Sequence, residues 1–150
     1  MNLENYISSQ MFNTEQLEQI KVRIGHNVDV SKYAIPTLSY KQMEQYRIAL
    51  EHGVDLSHYI ESNLDYDILE QVRLAAEDRS NVSLDEFLTG RFNAEQLEQI
   101  RLGKKHWVNV YEYSIPIFNA KQMRELRLGL EKEININIYS YHKYHWRQMK

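Results

Sequence analysis

The sequence predicts an all-α protein: a solenoid-like stack of five two-helix repeats of about 26 residues, with a half-repeat before them and an aromatic and basic cap after them. Three observations predict it. The stretch Phe92-Asn93-Ala94-Glu95-Gln96-Leu97-Glu98-Gln99-Ile100 is nearly a copy of Phe12-Asn13-Thr14-Glu15-Gln16-Leu17-Glu18-Gln19-Ile20, and fainter copies begin at Leu38, Leu64 and Phe118. Successive starts lie 26, 26, 28 and 26 residues apart, and a fixed period in that range marks a repeat array. Every copy also opens on the same helix-start chemistry and continues with apolar residues at helical spacing.

Residues 1–11 read as an orphan second half of a repeat, because Leu3, Tyr6 and Ile7 echo Leu56, Tyr59 and Ile60. Full repeats are expected at 12–37, 38–63, 64–91, 92–117 and 118–139, followed by a segment 140–150, all in one domain of 1–150. Asn13, Ser39, Asp65, Asn93 and Asn119 are N-caps, whose side-chain oxygens can accept from orphaned first-turn N–H groups. Gln16, Gln42, Gln96 and Gln122 stand three residues on and complete a capping box. Phe12, Leu38, Leu64, Phe92 and Phe118 precede the caps, and Leu17, Met43, Leu69, Leu97 and Met123 follow them as the other half of a hydrophobic staple.

The helix then runs for roughly 12 residues. Leu17, Ile20 and Ile24 form its main stripe in the first repeat. A second apolar column, Val22, Ile48, Leu74, Leu102 and Leu128, lies on the far side, as a helix sandwiched between neighbours requires. Small residues, Ala49, Ala75, Gly103 and Gly129, sit beside it. A connector leads to a second cluster: Val28-Asp29-Val30-Ser31-Lys32-Tyr33, Val54-Asp55-Leu56-Ser57-His58-Tyr59, Val108-Asn109-Val110-Tyr111-Glu112-Tyr113 and Ile134-Asn135-Ile136-Asn137-Ile138-Tyr139. Alternation this brief fits a short strand as well as a helix. The Asp or Asn at its start is cap chemistry and favours a helix of one or two turns, which Pro36 and Pro116 end. Repeat three departs most: Ile68 replaces the glutamine, two extra residues enter at Arg79-Ser80-Asn81, and Gly90 stands where proline stands elsewhere.

A chain with 43% hydrophobic and 26% charged residues is ordinary for a globular protein. It has no cysteine, hence no disulfide framework, thiol nucleophile or cysteine zinc site. The N-terminal residues lack a signal-peptide pattern and no apolar segment approaches membrane-spanning length, so a cytoplasmic protein without membrane partners is expected. Charge is unevenly spread. Residues 1–100 carry 8 Lys and Arg against 17 Asp and Glu, a net of −9; residues 101–150 carry 10 against 4, a net of +6. Such asymmetry points to a charged partner.

No phosphate-binding glycine loop, nucleophile elbow or His-Glu-x-x-His occurs, so a non-enzymatic protein without cofactors is expected. His142 and His145 are spaced for a metal on one helix face, but no third ligand is evident, and no metal site is assigned. His26, His52 and His106 share one repeat position near a helix C-terminus, where the dipole favours a cation. Two candidate binding sets remain. Asp67, Glu70, Glu77, Asp78, Asp85 and Glu86 form an acidic set in the repeat that breaks pattern. The basic and aromatic set is Lys121, Arg124 and Arg127 with Lys143, Tyr144, Trp146 and Arg147. A basic column, Lys21, Arg47, Arg73, Arg101 and Arg127, has acids three residues before and four after in most repeats, a pattern of weak intrahelical pairs. In repeat five Arg124 takes the place of the earlier acid, so Lys121, Arg124 and Arg127 are expected to form an unpaired basic face. The tail suits either stacking on single-stranded nucleic acid or covering the end of the array.

Residues 92–103 and 118–131 resemble a family of short helical repeats reading roughly F-N-x-x-Q-M-x-x-I-R-x-G-L-E, then G-x-D-V-x-x-Y-A-x-P, found in proteins of Gram-positive phages, plasmids and conjugative elements. The resemblance spans residues 12–139 and implies no catalytic residues. It implies a mobile-element setting, in which small acidic proteins disarm host defences, an anti-CRISPR protein being one concrete form. The expected function is a non-enzymatic module that docks an acidic surface on a basic, nucleic-acid-handling defence effector. The alternative is direct DNA or RNA binding through the C-terminal third.

Overall fold

The structure is a computed structural model that describes residues 11–21, 28–78 and 82–148, with side chains through residue 135. Among these residues five α-helices follow one another: α1 (Thr14–Lys21), α2 (Tyr40–Glu51), α3 (Tyr66–Glu77), α4 (Ala94–Lys105) and α5 (Ala120–Gln148). Single 3-10 segments lie between them at Val30–Lys32, Ser57–Ser62, Asp85–Phe87 and Val110–Glu112, and no strand occurs among the described residues. The chain divides into two compact units, Met1–Glu77 with α1 to α3 and Asp78–Lys150 with α4 and α5. The expected half-repeat at 1–11, His26 and the loop at 79–81 fall largely or wholly outside the described residues.

The helix starts follow from their caps. Ser39 and Asn93 each accept from the N–H three residues on, while Gln42 and Gln96 accept from the cap's own N–H, closing the box. Asn13 with Gln16 and Asn119 with Gln122 make the same reciprocal pair. The box glutamine also reaches forward. Its amide donates to the carbonyl before the next helix: Gln16 to Leu38 at 2.6 Å, Gln42 to Leu64 at 2.8 Å, Gln96 to Phe118 at 2.8 Å. One side chain thus starts one helix and fixes where the next begins.

The helix ends are equally specific. After α2, the Gly53 N–H bonds to Leu50 O and the Val54 N–H to Ala49 O, with Gly53 in the left-handed region at φ 81°. After α4, Trp107 and Val108 make the same two bonds to Lys104 and Gly103, and Trp107 takes φ 63°. The second cluster then folds as a 3-10 turn capped by Asp29 or Asn109, whose side chains accept from the N–H groups of Ser31 and Tyr111. This is tighter than the expected one or two α-turns.

Each core is built from the main stripe and the second cluster, whereas the second apolar column, expected to be buried between neighbours, is not sealed: Ile48, Leu74 and Leu102 are half-buried, Leu128 is 40% exposed, and Val22 lies outside the described residues. Ile20, Tyr33, Met43 and Leu69 are fully buried in the first unit, and Leu97, Ile100, Tyr113 and Met123 in the second. Gly103 has a particular reason to be glycine: a Cβ there would lie 1.9 Å from the Tyr113 hydroxyl, which donates to Gln99 O at 2.7 Å.

Repeat five does not follow the expected two-helix form. Its helix runs unbroken through the expected connector, through Ile134-Asn135-Ile136 and on to Gln148, so most of the segment 140–150 is helix as well. The physical reason is local. Lys132-Glu133 stands where His52-Gly53 and His106-Trp107 stop the earlier helices, and His142 stands where Pro116 would be. Glutamate is a good helix former and supplies no left-handed cap, so nothing stops α5.

Candidate functional site

The basic column is not the isolated ion-pair ladder of the sequence reading. Arg47, Arg73 and Arg127 each bond the acid four residues on: Glu51 at 2.6 Å, Glu77 at 2.9 Å, Glu131 at 2.7 Å. Each also donates through Nε to a glutamine 28 residues earlier: Gln19 at 3.0 Å, Gln45 at 2.7 Å, Gln99 at 2.9 Å. His52 and His106 complete the pattern, Nδ1 lying 2.8 Å from Glu77 and 2.5 Å from Glu131. Burial works against ionising Glu131, but the hydrogen bonds from His106 and Arg127 outweigh it and hold its carboxyl below the usual carboxylate range. The arginines are therefore mortar between neighbouring helices.

This corrects the basic set. Arg127 is 7% exposed and committed to Gln99 and Glu131, so it offers nothing to a ligand. Lys121 and Arg124 are exposed on the outer side of α5. Lys143, Tyr144, Trp146 and Arg147 belong to the final turns of α5, and their side chains lie outside the described residues.

The acidic set is likewise thinned. Glu77, expected to face outward, has a side chain only 16% exposed and held by Arg73 and His52. The Asp78 side chain is largely covered beside Lys105, at 3.5 Å. Glu86 accepts from Tyr111 Oη at 2.5 Å and from Lys104 Nζ at 3.1 Å, and these bonds hold its carboxyl below the ordinary range. Glu70 is half-buried in a groove with Lys41, Tyr66 and Arg73. Asp67 and Asp85 are exposed. Asp67, Glu70 and Glu77 belong to the first unit, and Asp78, Asp85 and Glu86 to the second.

The residue that sequence reasoning passed over is Trp107. Its side chain is 79% exposed. It occupies the left-handed position that the second repeat fills with Gly53, where a side chain costs about 1 kcal/mol or more. Trp107 forms one wall of a shallow cleft of about 380 Å³, with Lys105, His106, Glu131, Ile134 and Asn135 around it. The signal was present in the alignment of repeats, as His52-Gly53-Val54 against His106-Trp107-Val108. Exposed apolar side chains gather in the same stretch of chain, at Tyr111, Ile115, Ile117, Leu126 and Leu128.

Among the described residues no group of three His, Asp or Glu could hold a metal ion, and no helix is long and apolar enough to cross a membrane. No protein-family model matches the chain, and no curated protein or solved structure matches it either.

Proposed function

We propose that the chain is a non-enzymatic, protein-binding helical-repeat module whose anchor is Trp107. One observation carries this reading: a large aromatic side chain is held out in solvent, at a backbone position where glycine serves the same turn without strain. Tryptophan dominates protein interfaces because it removes a large apolar area from water at small conformational cost. The cleft beside it supplies a polar pair, His106 with Glu131, and an apolar side chain, Ile134. The resemblance of the repeats to those of mobile elements supports a partner among host defence proteins, an anti-CRISPR role included. The acidic charge of residues 1–100, with Asp67 and Asp85 exposed, would speed encounter with a basic effector. Direct nucleic-acid binding draws less support, since Arg127 is spent inside the fold.

The test is Trp107→Gly, which installs the residue of the second repeat. Its unfolding free energy should stay level or rise by about 1 kcal/mol. Its affinity for the partner should fall about thirtyfold or more, as for an interface hot spot. Wild type and variant are immobilised in parallel against lysate of a Gram-positive host with and without nuclease treatment, and each captured protein is titrated separately. Capture of the same proteins with the same affinity by both would sink the assignment of Trp107, and binding that disappears with nuclease would favour the nucleic-acid reading.

A further inference from the structure

Consecutive repeats within each unit are joined by one recurring set of contacts. The box glutamine donates forward to a carbonyl, a second glutamine accepts from the next helix's arginine, and an apolar residue beside it is covered. These are Gln16, Gln19 and Ile20 in repeat one, Gln42, Gln45 and Tyr46 in repeat two, and Gln96, Gln99 and Ile100 in repeat four. Repeat five presents the same trio as Gln122, Glu125 and Leu126, all exposed, with Leu126 at 41% where Ile20 and Ile100 are at 0%. These residues, with Phe118 and Lys121, line a shallow apolar depression of about 420 Å³. Among the described residues no helix covers it, because α5 runs on to Gln148 instead of turning back.

Repeat one offers the opposite half. Its Leu17 is only half-buried, whereas Met43, Leu69, Leu97 and Met123 at that position are sealed. Lys21, exposed, stands in the register of Arg47, Arg73 and Arg127. The exposed trio and α1 also differ from the internal joints in charge: the glutamine that accepts from an arginine inside the chain is Glu125 here, and the facing cation is a lysine. The wider fields agree, with −9 on residues 1–100 and +6 on residues 101–150.

We infer that the open face of repeat five receives repeat one of a second copy of this chain, repeating the internal joint between molecules. Gln122 donates to the Phe12 carbonyl, Leu17 covers Leu126, and Lys21 pairs with Glu125. Such a contact is head-to-tail, so it closes into a ring or runs on as a chain.

Sedimentation velocity of the full chain tests this from low micromolar to near-millimolar concentration. Wild-type average mass should rise with concentration to at least that of a dimer, and less so at high salt. Glu125→Lys and Lys21→Glu each set like charges face to face and should each demand about tenfold higher concentration for the same mass. An equimolar mixture of the two variants restores opposite charges at every joint and should associate like wild type. Circular dichroism of each variant confirms that these exposed substitutions leave the helices intact. A chain that stays monomeric throughout overturns the inference. So does a variant that associates as wild type does, or a mixture no better than its components.

Discussion

Repeats four and five begin alike and end differently. Phe92-Asn93-Ala94 and Phe118-Asn119-Ala120 start α4 and α5 with the same box, and Gly103 and Gly129 hold the same register. In repeat four the chain stops at His106, turns through Trp107 and folds Tyr113 down onto Gly103. In repeat five it carries on, and nothing lies within 4 Å of the Cβ that Gly129 lacks. The comparison teaches that the apolar pattern marks where a repeat is, while one backbone position decides whether it closes. It also explains where the exposed surfaces come from: the closing turn of repeat four displays Trp107, and the unclosed repeat five displays Leu126.

The joint between the two repeats is the first place to break the comparison. Arg127→Ala removes a buried guanidinium, strands Gln99 and leaves Glu131 with His106 alone, and should cost about 3 kcal/mol. Arg124→Ala, one turn earlier on the exposed side of the same helix, should change stability by less than about 0.5 kcal/mol. Urea unfolding of both variants reads the difference. Equal, small effects would mean that Arg127 is surface charge after all.

The two glycines give the next largest contrast, and it is one of sign. Gly103→Ala drives a methyl group into the Tyr113 hydroxyl and Val110, and should destabilise by about 2 kcal/mol. Gly129→Ala adds a methyl group in open space on a helix and should stabilise by about 0.5 to 1 kcal/mol. The same denaturation experiment decides it. Destabilisation by both variants would show that repeat five closes over Gly129 as repeat four closes over Gly103.

Much of this was legible in the residues. Asn13, Ser39, Asn93 and Asn119 with their glutamines announced four helix starts, because capping is chemistry between neighbours three residues apart. The acids four residues after Arg47, Arg73 and Arg127 were legible for the same reason. Their glutamine partners, 28 residues away, were not, because a contact between helices depends on packing that local spacing cannot show. That is why Arg127 read as a free cation and Glu77 as an outward one. The long α5 was missed for the opposite reason: Ile134-Asn135-Ile136 copies the composition of Val108-Asn109-Val110, and the copy was extended to a fold that needs the residue before it. Trp107 could have been found, since a tryptophan aligned with Gly53 is anomalous on its face. Among the candidate sites with described side chains, Lys121, Arg124, Asp67, Asp85 and Glu86 kept the exposure expected of them, Glu86 while bonded to Tyr111 and Lys104.

The subtlest way to sharpen the comparison is to give repeat five the stop that it lacks. Lys132→His with Glu133→Gly writes the His52-Gly53 ending of repeat two into α5. Within a continuing helix, glycine in place of glutamate costs about 0.5 to 1 kcal/mol, while at a left-handed cap it is the favoured residue, so the substitution tilts both sides of the balance. The rest of a closing turn is already written downstream: Ile134, Asn135 and Ile136 match Val108, Asn109 and Val110, and Gly129 leaves the space that Gly103 gives to Tyr113. The double variant should therefore lose helical ellipticity at the end of α5 while the rest of the second unit holds, and Gly129→Ala added to it should now destabilise rather than stabilise. Circular dichroism and urea unfolding of the double and triple variants measure both effects. An unchanged helix signal, with Gly129→Ala still stabilising, would show that the residues after 134 hold α5 straight on their own account and that the missing cap is not what keeps repeat five open.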